Sequence, residues 1–597
     1  MNSMPTLLSD ELIKKYSAAG FWRDDTIYAL VRGHAERAPE SFALRDRYRR
    51  LSYRELVTAA DALAADLASR GVVPGDRVSV WLPSRIEGVI ALLACSRNGY
   101  ICCPSLHRDH TVGEVIELVE RTRSAAFIGQ IGFGADADRR DIFSELGAFP
   151  WLHHVYRLAP LIPPPTREAR DGEGRPLERS EGGRGGGLLL LQENYPPPPT
   201  PPHHSLRSRG EGSDGVSSSA DTPLAKKNPN DIVYLAFTSG TSGRPKGVMH
   251  SDNTLLANAR QLAKDWSIDK DSVVYSLSPL SHNLGFGAQV MALAVGGELV
   301  IHDLPRGASL ADRILETGTS FLVGVPAHAS DLLNEMRARG LKGLGRLKGF
   351  RISGAAAPRD VVAGLIAQGI IPQSGYGMTE TCSHQYTLPN DDPKLIVETS
   401  GRACPGYELR IFKTDDPDTP AVAGETGQIG GRGASLMLGY YEDQEATESA
   451  FNKDGWFMTG DLGTLDADGY LRITGRVKDI IIRGGHNIHP ARIEALAMRH
   501  QAVARAAAVP IADARLGEKV CLVVMFRAGQ HATAADLLAH LDAVGLSKYD
   551  MPEYFLAVEE IPLTPNGKIR KRDILDWIAQ GRVRPEPVRW QVKQATA

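Results

Sequence analysis

Ile232-Val233-Tyr234-Leu235-Ala236-Phe237-Thr238-Ser239-Gly240-Thr241-Ser242-Gly243-Arg244-Pro245-Lys246-Gly247 is the stretch on which the reading of this chain turns. Its apolar first third predicts a strand. Between 238 and 247 come four hydroxyls, three glycines and one lysine. Glycines let a backbone turn tightly and bring N–H groups against an anion. Hydroxyls add donors, and the lysine adds a point charge suited to polyphosphate. The spacing is not that of a Walker A loop. A chance Gly/Ser-rich loop has the same composition, so the rest of the chain has to decide.

A chain of 597 residues is too long for one core and fits several domain-sized units. Its 42% hydrophobic and 23% charged residues are those of an ordinary globular protein. A net charge of −3 with interspersed signs gives no reason to expect nucleic acid as a partner. Cys95, Cys102, Cys103, Cys382, Cys404 and Cys521 form no C-x-x-C pair, which fits a reducing cytoplasm. Residues 1–16 lack the apolar core of a signal peptide, and no apolar run is long enough for a membrane span.

Leu56, Ala59, Ala60, Leu63 and Leu67 predict a helix over 51–71, stopped at Gly71. A strand follows at 77–82, then a helix at 87–95. Between 228 and 400 the alternation continues, with strands at 273–277, 298–301 and 321–325. Alternating β and α predicts parallel sheets covered by helices. Residues 159–228 break the pattern with proline, glycine and Ser/Arg tracts and no hydrophobic period. They are expected to be disordered, either as a surface insertion or as a stretch outside the native reading frame. A second change near 461–478 opens a short α+β pattern: Ile480–Ile482, a helix from Pro490 to Arg499, a strand over 521–526, and a helix over 534–544 with Thr533 as N-cap.

Further blocks stand in a fixed order: Tyr376-Gly377-Met378-Thr379-Glu380, Gly424-Glu425-Thr426-Gly427, Gly439-Tyr440-Tyr441, Thr459-Gly460-Asp461, Gly475-Arg476-Val477-Lys478-Asp479, Gly484-Gly485-His486-Asn487, and Pro562-Leu563-Thr564-Pro565-Asn566-Gly567-Lys568. Together with the 238–247 loop they resemble the adenylate-forming superfamily of acyl-CoA synthetases, aryl-acid ligases, peptide-synthetase adenylation domains and luciferases. The resemblance covers residues from about 20 to 580, apart from the insertion. It implies an α/β fold: a large N-terminal domain (1–475) of parallel and mixed sheets covered by helices, with a distorted barrel, and a small mobile α+β C-terminal domain (476–597) hinged at Lys478.

The resemblance also implies the chemistry. A carboxylate attacks the α-phosphate of ATP, and the acyl adenylate then passes to a thiol. Thr238, Ser239, Gly240, Thr241, Ser242, Gly243 and Lys246 would hold the phosphates. Gly354, Ala355 and Ala356 would wall the adenine, with Tyr376 and Gly377 opposite. Thr379 would contact the α-phosphate, and Glu380 with Thr238 would bind Mg²⁺, a hard cation that takes oxygen ligands. Asp461 would take the ribose hydroxyls and Arg476 the ribose or phosphate. Lys568 would be the mobile catalytic lysine, a site of the kind that is reversibly acetylated in acyl-CoA synthetases. Gly484 and Gly485 would leave a slot for the pantetheine of CoA. Taken singly, Glu380 reads as a helix N-terminal carboxylate, Asp461 as a turn residue and Arg476 as a solvated charge.

His282, which often gates the acyl group in the family, would line the acid pocket with Asn283, Gly324, Ser374 and Gly375. No charged residue stands in these blocks, so an apolar acid is expected, alicyclic or medium-chain. Gly20–Thr26 and His282-Asn283 look like bacterial cyclohexanecarboxylate and medium-chain acyl-CoA ligases. The alternatives are an aryl-acid (dihydroxybenzoate-type) AMP ligase loading a carrier protein and an inactive nucleotide-binding homologue. Nothing in the residues supports a luciferase-like oxidation. The sequence leaves open an assembly of identical copies.

Overall fold

The computed structural model describes residues 6–108, 110–161, 227–238, 245–305, 307–354, 357–483, 486–564 and 567–590. Four sheets organise them. A nine-stranded sheet is parallel through Ile371–Met378, Gly349–Ile352, Phe321–Gly324, Val273–Ser276, Glu298–Ile301 and Phe42–Arg45. Antiparallel strands close both of its edges. A second, six-stranded sheet is parallel except at its edge, where Ile232–Thr238 pairs antiparallel with Lys246–Ser251. The strand predicted before the Ser/Gly loop is therefore one arm of a hairpin.

The two parallel sheets share one core. The helix Asn283–Val295 is apolar almost all round, as a helix buried on every side must be. Its Phe286 stacks on Tyr234 of the second sheet with ring centroids 3.9 Å apart, and its apolar residues join Val274, Leu299 and Val323 of the first. Caps set the helix starts: Ser52 with Glu55, Thr111 with Glu114 and Thr533 with Asp536 form capping boxes. The helix expected from 51 begins at Tyr53 instead, because Ser52 ends the strand Arg50–Ser52 and turns its side chain to cap the helix.

The third sheet is four-stranded and antiparallel, Tyr407–Phe412, Gly427–Gly433, Phe457–Leu465 and Leu471–Arg476 in that order. Among the described residues its two edge strands do not pair with each other. A short 3-10 turn, Val477–Asp479, follows it. Beyond lies a separate six-stranded sheet built from Ile481–Arg483 onward, with its own core of Ile493, Val503, Leu522 and Leu537. The fold is thus a large mixed α/β domain and a small C-terminal one. No described helix is long and apolar enough to cross a membrane. All six cysteines are free and buried. Of the expected insertion, residues 162–226 lie outside the described residues.

The Ile371–Met378 and Cys382–Tyr386 strands meet in a hairpin whose loop is Thr379-Glu380-Thr381. Cys382 closes it with φ 55°, the left-handed conformation usual after a three-residue hairpin loop. The approach requires glycine at 377: a Cβ there would lie 2.0 Å from the Cys382 carbonyl oxygen. Backbone cannot swing aside as a side chain can, so Gly377→Ala should cost about 3 kcal/mol or more and lower the thermal unfolding midpoint. A melt indistinguishable from that of the unmodified protein would contradict this packing.

Candidate functional site

The hairpin loop at 379–381 is held from several directions. Buried His250 sits 2.7 Å from the Thr379 carbonyl through Nε2, which must donate there, and 3.0 Å from Thr254 Oγ1 through Nδ1. Burial lowers its pKa to about 4, so the ring is neutral and keeps that tautomer. Asn283 Nδ2 donates to the Met378 carbonyl at 3.2 Å. The Met437 N–H donates to the Glu380 carbonyl at 2.7 Å. Tyr440 Oη donates to Glu380 Oε1 at 3.0 Å. Sequence reasoning gave no role to His250 or Met437, since a hydrogen bond to backbone leaves no motif.

Glu380 stands on this loop and not at a helix N-terminus, so the single-residue reading is corrected. Lys246 Nζ lies 4.5 Å from the centre of the Tyr440 ring, and its charge reaches Glu380. Burial pushes the Glu380 carboxyl above the usual carboxylate range, while the Tyr440 hydrogen bond and Lys246 pull it partly back. Thr238 ends its strand with Oγ1 3.5 Å from the Lys246 carbonyl. A partly buried carboxylate such as Glu380 suits Mg²⁺, which takes few protein ligands and keeps waters and phosphate oxygens. No nest of three or more His, Cys, Asp or Glu side chains gathers among the described residues.

A second carboxylate lies beside the first. Asp461 and Arg476 are register partners across two antiparallel strands, with Arg476 Nε 2.9 Å from Asp461 Oδ1. Tyr376 Oη donates to Asp461 Oδ2 at 2.7 Å. The single-residue reading of a turn aspartate is therefore corrected, since Asp461 lies inside a strand; Arg476 is exposed, as a solvated charge would be, and pairs with Asp461 across the sheet. Lys568 comes from the far end of the chain on a tight turn, where Gly567 has φ 75° and the Lys568 N–H donates to Thr564 Oγ1. Lys568 is an exposed residue. Surrounding protein and the Arg476 charge nonetheless push its ammonium below the usual lysine range, while Asp461 and Glu380 pull it back up. The small domain thus brings a cation within electrostatic reach of both carboxylates.

The residues expected to line the acid pocket divide. His282 is the N-cap residue of the Asn283–Val295 helix and stacks flat on His107, centroids 3.9 Å apart. Asn283 is spent on the Met378 carbonyl. Gly324 makes room for His328, whose Nδ1 would lie 2.8 Å from a Cβ there. Ser374 donates its hydroxyl to the Ile396 carbonyl at 2.6 Å. Gly375 lies against the guanidinium of Arg351, which the sequence reading did not single out. Gly354 has φ 94°, a turn only glycine takes freely. Exposed Lys478 sits in the 3-10 turn between the domains. Ser239, Gly240, Thr241, Ser242, Gly243, Ala355, Ala356, Gly484 and Gly485 lie outside the described residues.

A family model described as AMP-binding enzyme matches residues 31–441, and the AMP-binding enzyme C-terminal domain matches 492–568. A salicylyl-CoA synthase / salicylate adenylyltransferase from a Streptomyces species is 30% identical over 574 residues, 95% of this chain and 96% of that protein. The medium-chain fatty-acid–CoA ligase of Escherichia coli is 26% identical, covering 95% of this chain and 93% of its own length. ATP-bound MatB from Rhodopseudomonas palustris superposes with a TM-score of 0.75 at 25% identity, over 93% of this chain and 99% of that one. The chain belongs to the AMP-binding, adenylate-forming family of acid–CoA and aryl-AMP ligases, whose members use ATP and typically Mg²⁺.

The raised Glu380 carboxyl has a consequence for stability. Its folded value lies above the unfolded one, so its contribution is fully present at low pH and is lost as pH rises through the folded value. Glutamine keeps the acceptor for Tyr440 and cannot ionise. Glu380→Gln should therefore melt higher than the unmodified, ligand-free protein at neutral pH. The gap should close as pH falls below the ordinary glutamate value of 4.5. Melting curves over a pH series check this; a gap that widens on acidification would contradict it.

Proposed function

We propose that this member of the AMP-binding family is an ATP-dependent carboxylic acid–CoA ligase that converts acid, ATP and CoA to acyl-CoA, AMP and pyrophosphate, with an alicyclic or medium-chain acid as substrate. The observation that carries the reading is the Arg476–Asp461 ion pair, with Tyr376 on the same carboxylate and Lys568 within electrostatic reach of Arg476, Asp461 and Glu380. In the first half-reaction a carboxylate oxygen forms a bond to the α-phosphorus and the bond to the pyrophosphate oxygen breaks. Two anions meet there, so the site must supply positive charge where negative charge develops. Lys568 is the movable part of that charge, and Lys246 is the fixed part on the phosphate side. Asp461 orients the ribose, with Arg476 and Tyr376 holding its carboxylate. Glu380 and Thr238 would hold Mg²⁺, which supplies charge neutralisation on the phosphates when bound.

In the second half-reaction the thiol sulfur attacks the acyl carbonyl carbon, AMP leaves, and the thiol proton is released. We place a domain boundary at 475/476 and a hinge at Lys478. The support is the end of one sheet at Arg476 and the start of another at Ile481, with a short turn between. Rotation there would withdraw Lys568 and bring Gly484-Gly485 to the adenylate. Six free thiols suit a reducing cytoplasm.

Pyrophosphate release across a panel of carboxylic acids, with and without CoA, tests the reading. CoA-dependent turnover of an alicyclic or medium-chain acid is the expected result. Slow release with a hydroxybenzoate, indifferent to CoA, would move the chain to the carrier-protein ligases. Silence from folded protein would make it an inactive homologue.

Lys568→Ala should abolish adenylate formation yet spare thioester formation from a pre-made acyl adenylate; equal loss in both steps would remove the two-conformation reading. The first step alone should also fail on the alkaline side, below the ordinary lysine value of 10.5, because its ammonium loses the proton early. Lys568→Arg, which stays charged, should shift that limb upward. An alkaline limb common to both half-reactions would assign it elsewhere.

A further inference from the structure

Arg351 is 2% exposed, on the central strand Gly349–Ile352, and no carboxylate pairs with it among the described residues. Burial of an uncompensated charge brings its pKa down to about 10. Its Nη1 donates to Gln373 Oε1 at 2.5 Å, and its guanidinium lies 5.9 Å from the centre of the Tyr386 ring. Its Nη2 is buried with no acceptor, and so is Nε2 of Gln373. The two residues are register partners. The amide cannot be turned to relieve this, because its oxygen has to face the guanidinium. Two donors on one sheet face thus lack an acceptor, where buried polar groups nearly always have one.

The place of this pair is as telling as its chemistry. A Cβ on Gly375, one of the residues given to the acid pocket, would lie 3.1 Å from Arg351 Nη2. Asn283, at the start of the helix that covers this face, donates to the Met378 carbonyl at the end of the same strand. One turn further along that helix face stands Gly287, where a Cβ would meet nothing within 4 Å. The helix runs back against the strand, so this step leads toward Gly375. Gly287 thus leaves open space on the helix side, while the missing side chain at Gly375 lets the Arg351 guanidinium lie against that strand.

We propose that Arg351 and Gln373 form a recognition point at the inner end of the acid pocket for a second oxygen acceptor, so that the substrate is an acid bearing a keto, hydroxyl or carboxylate oxygen remote from its reacting carboxyl. This deepens the ligase reading and rests on it. It also replaces the expectation of a purely apolar pocket: an alicyclic or medium-chain skeleton fills the seam, and its distal oxygen accepts from both donors. A bare hydrocarbon would leave both donors buried and unpaired, which is how sites of this kind reject an analogue lacking the polar group.

Matched acids test it. The kcat/KM of the full-length protein is measured with cyclohexanecarboxylate against its ring ketone, ring alcohol and ring dicarboxylate, and with octanoate against octanedioate. In at least one pair the acceptor-bearing acid should be preferred by about 100-fold. In Arg351→Met the ratio within that pair should fall to near unity. Arg351→Lys, which keeps a cation but loses the planar fork, should also reduce it. Preference for the bare acid in every pair would overturn the proposal while leaving the ligase reading intact, and so would a Met variant with an unchanged ratio. If the Met variant does not fold, the Lys variant and the unmodified protein's panel decide alone. Absence of pyrophosphate release with every acid would overturn the ligase reading itself, and this one with it.

Discussion

The loop Thr379-Glu380-Thr381 presents its side chains at a fixed place because its backbone has nowhere else to go. Gly377 lies so close to the Cys382 carbonyl that no side chain fits between them. The Met378, Thr379 and Glu380 carbonyls are each taken by a different donor: Asn283, His250 and the Met437 N–H. These donors come from the buried helix, the second sheet and the segment leading to Tyr440, so the loop is where three parts of the large domain are tied together. A loop clasped in this way holds Thr379 and Glu380 without induced ordering, and preorganisation of that kind is the main electrostatic resource of a catalytic site.

Around this fixed point the charges are distributed by how far each must travel. Lys246 and Arg476 sit on strands, and Asp461 is locked between Arg476 and Tyr376. Lys568 stands on a tight turn of the small domain and reaches the same carboxylates through the arrangement of two bodies. Its depressed ammonium and the raised Glu380 carboxyl have one cause. In each, the protein around the group disfavours its charged form. The ligand-free site is thus held away from its own electrostatic optimum, at some expense in stability.

Much of this was legible in the sequence. Helix and strand periods, capping residues and the order of short glycine- and hydroxyl-rich blocks carried the α/β class and the two-domain division, and they singled out Glu380, Asp461, Arg476 and Lys568 as candidates. These are local signals: a cap lies within three residues of what it caps, and a motif holds its residues within one turn. The start of the helix at Tyr53 was misjudged by two residues because Ser52 serves a strand and a cap at once.

What only the tertiary structure decided are relations between residues far apart in the chain. Arg351 drew no reading from the sequence, because nothing local ties a residue on the strand Gly349–Ile352 to Ser374-Gly375. Register pairing across parallel strands sets it beside Gln373 and under Gly375, buried and short of an acceptor. His250 in the same way becomes a neutral clamp only when its strand passes beneath the Thr379 carbonyl. The sequence by itself fixes what each segment can become, through propensity, pattern and side-chain chemistry. Which polar atoms end up without partners, and which charges meet, depends on burial and on long-range register, and these exist only once the chain has folded.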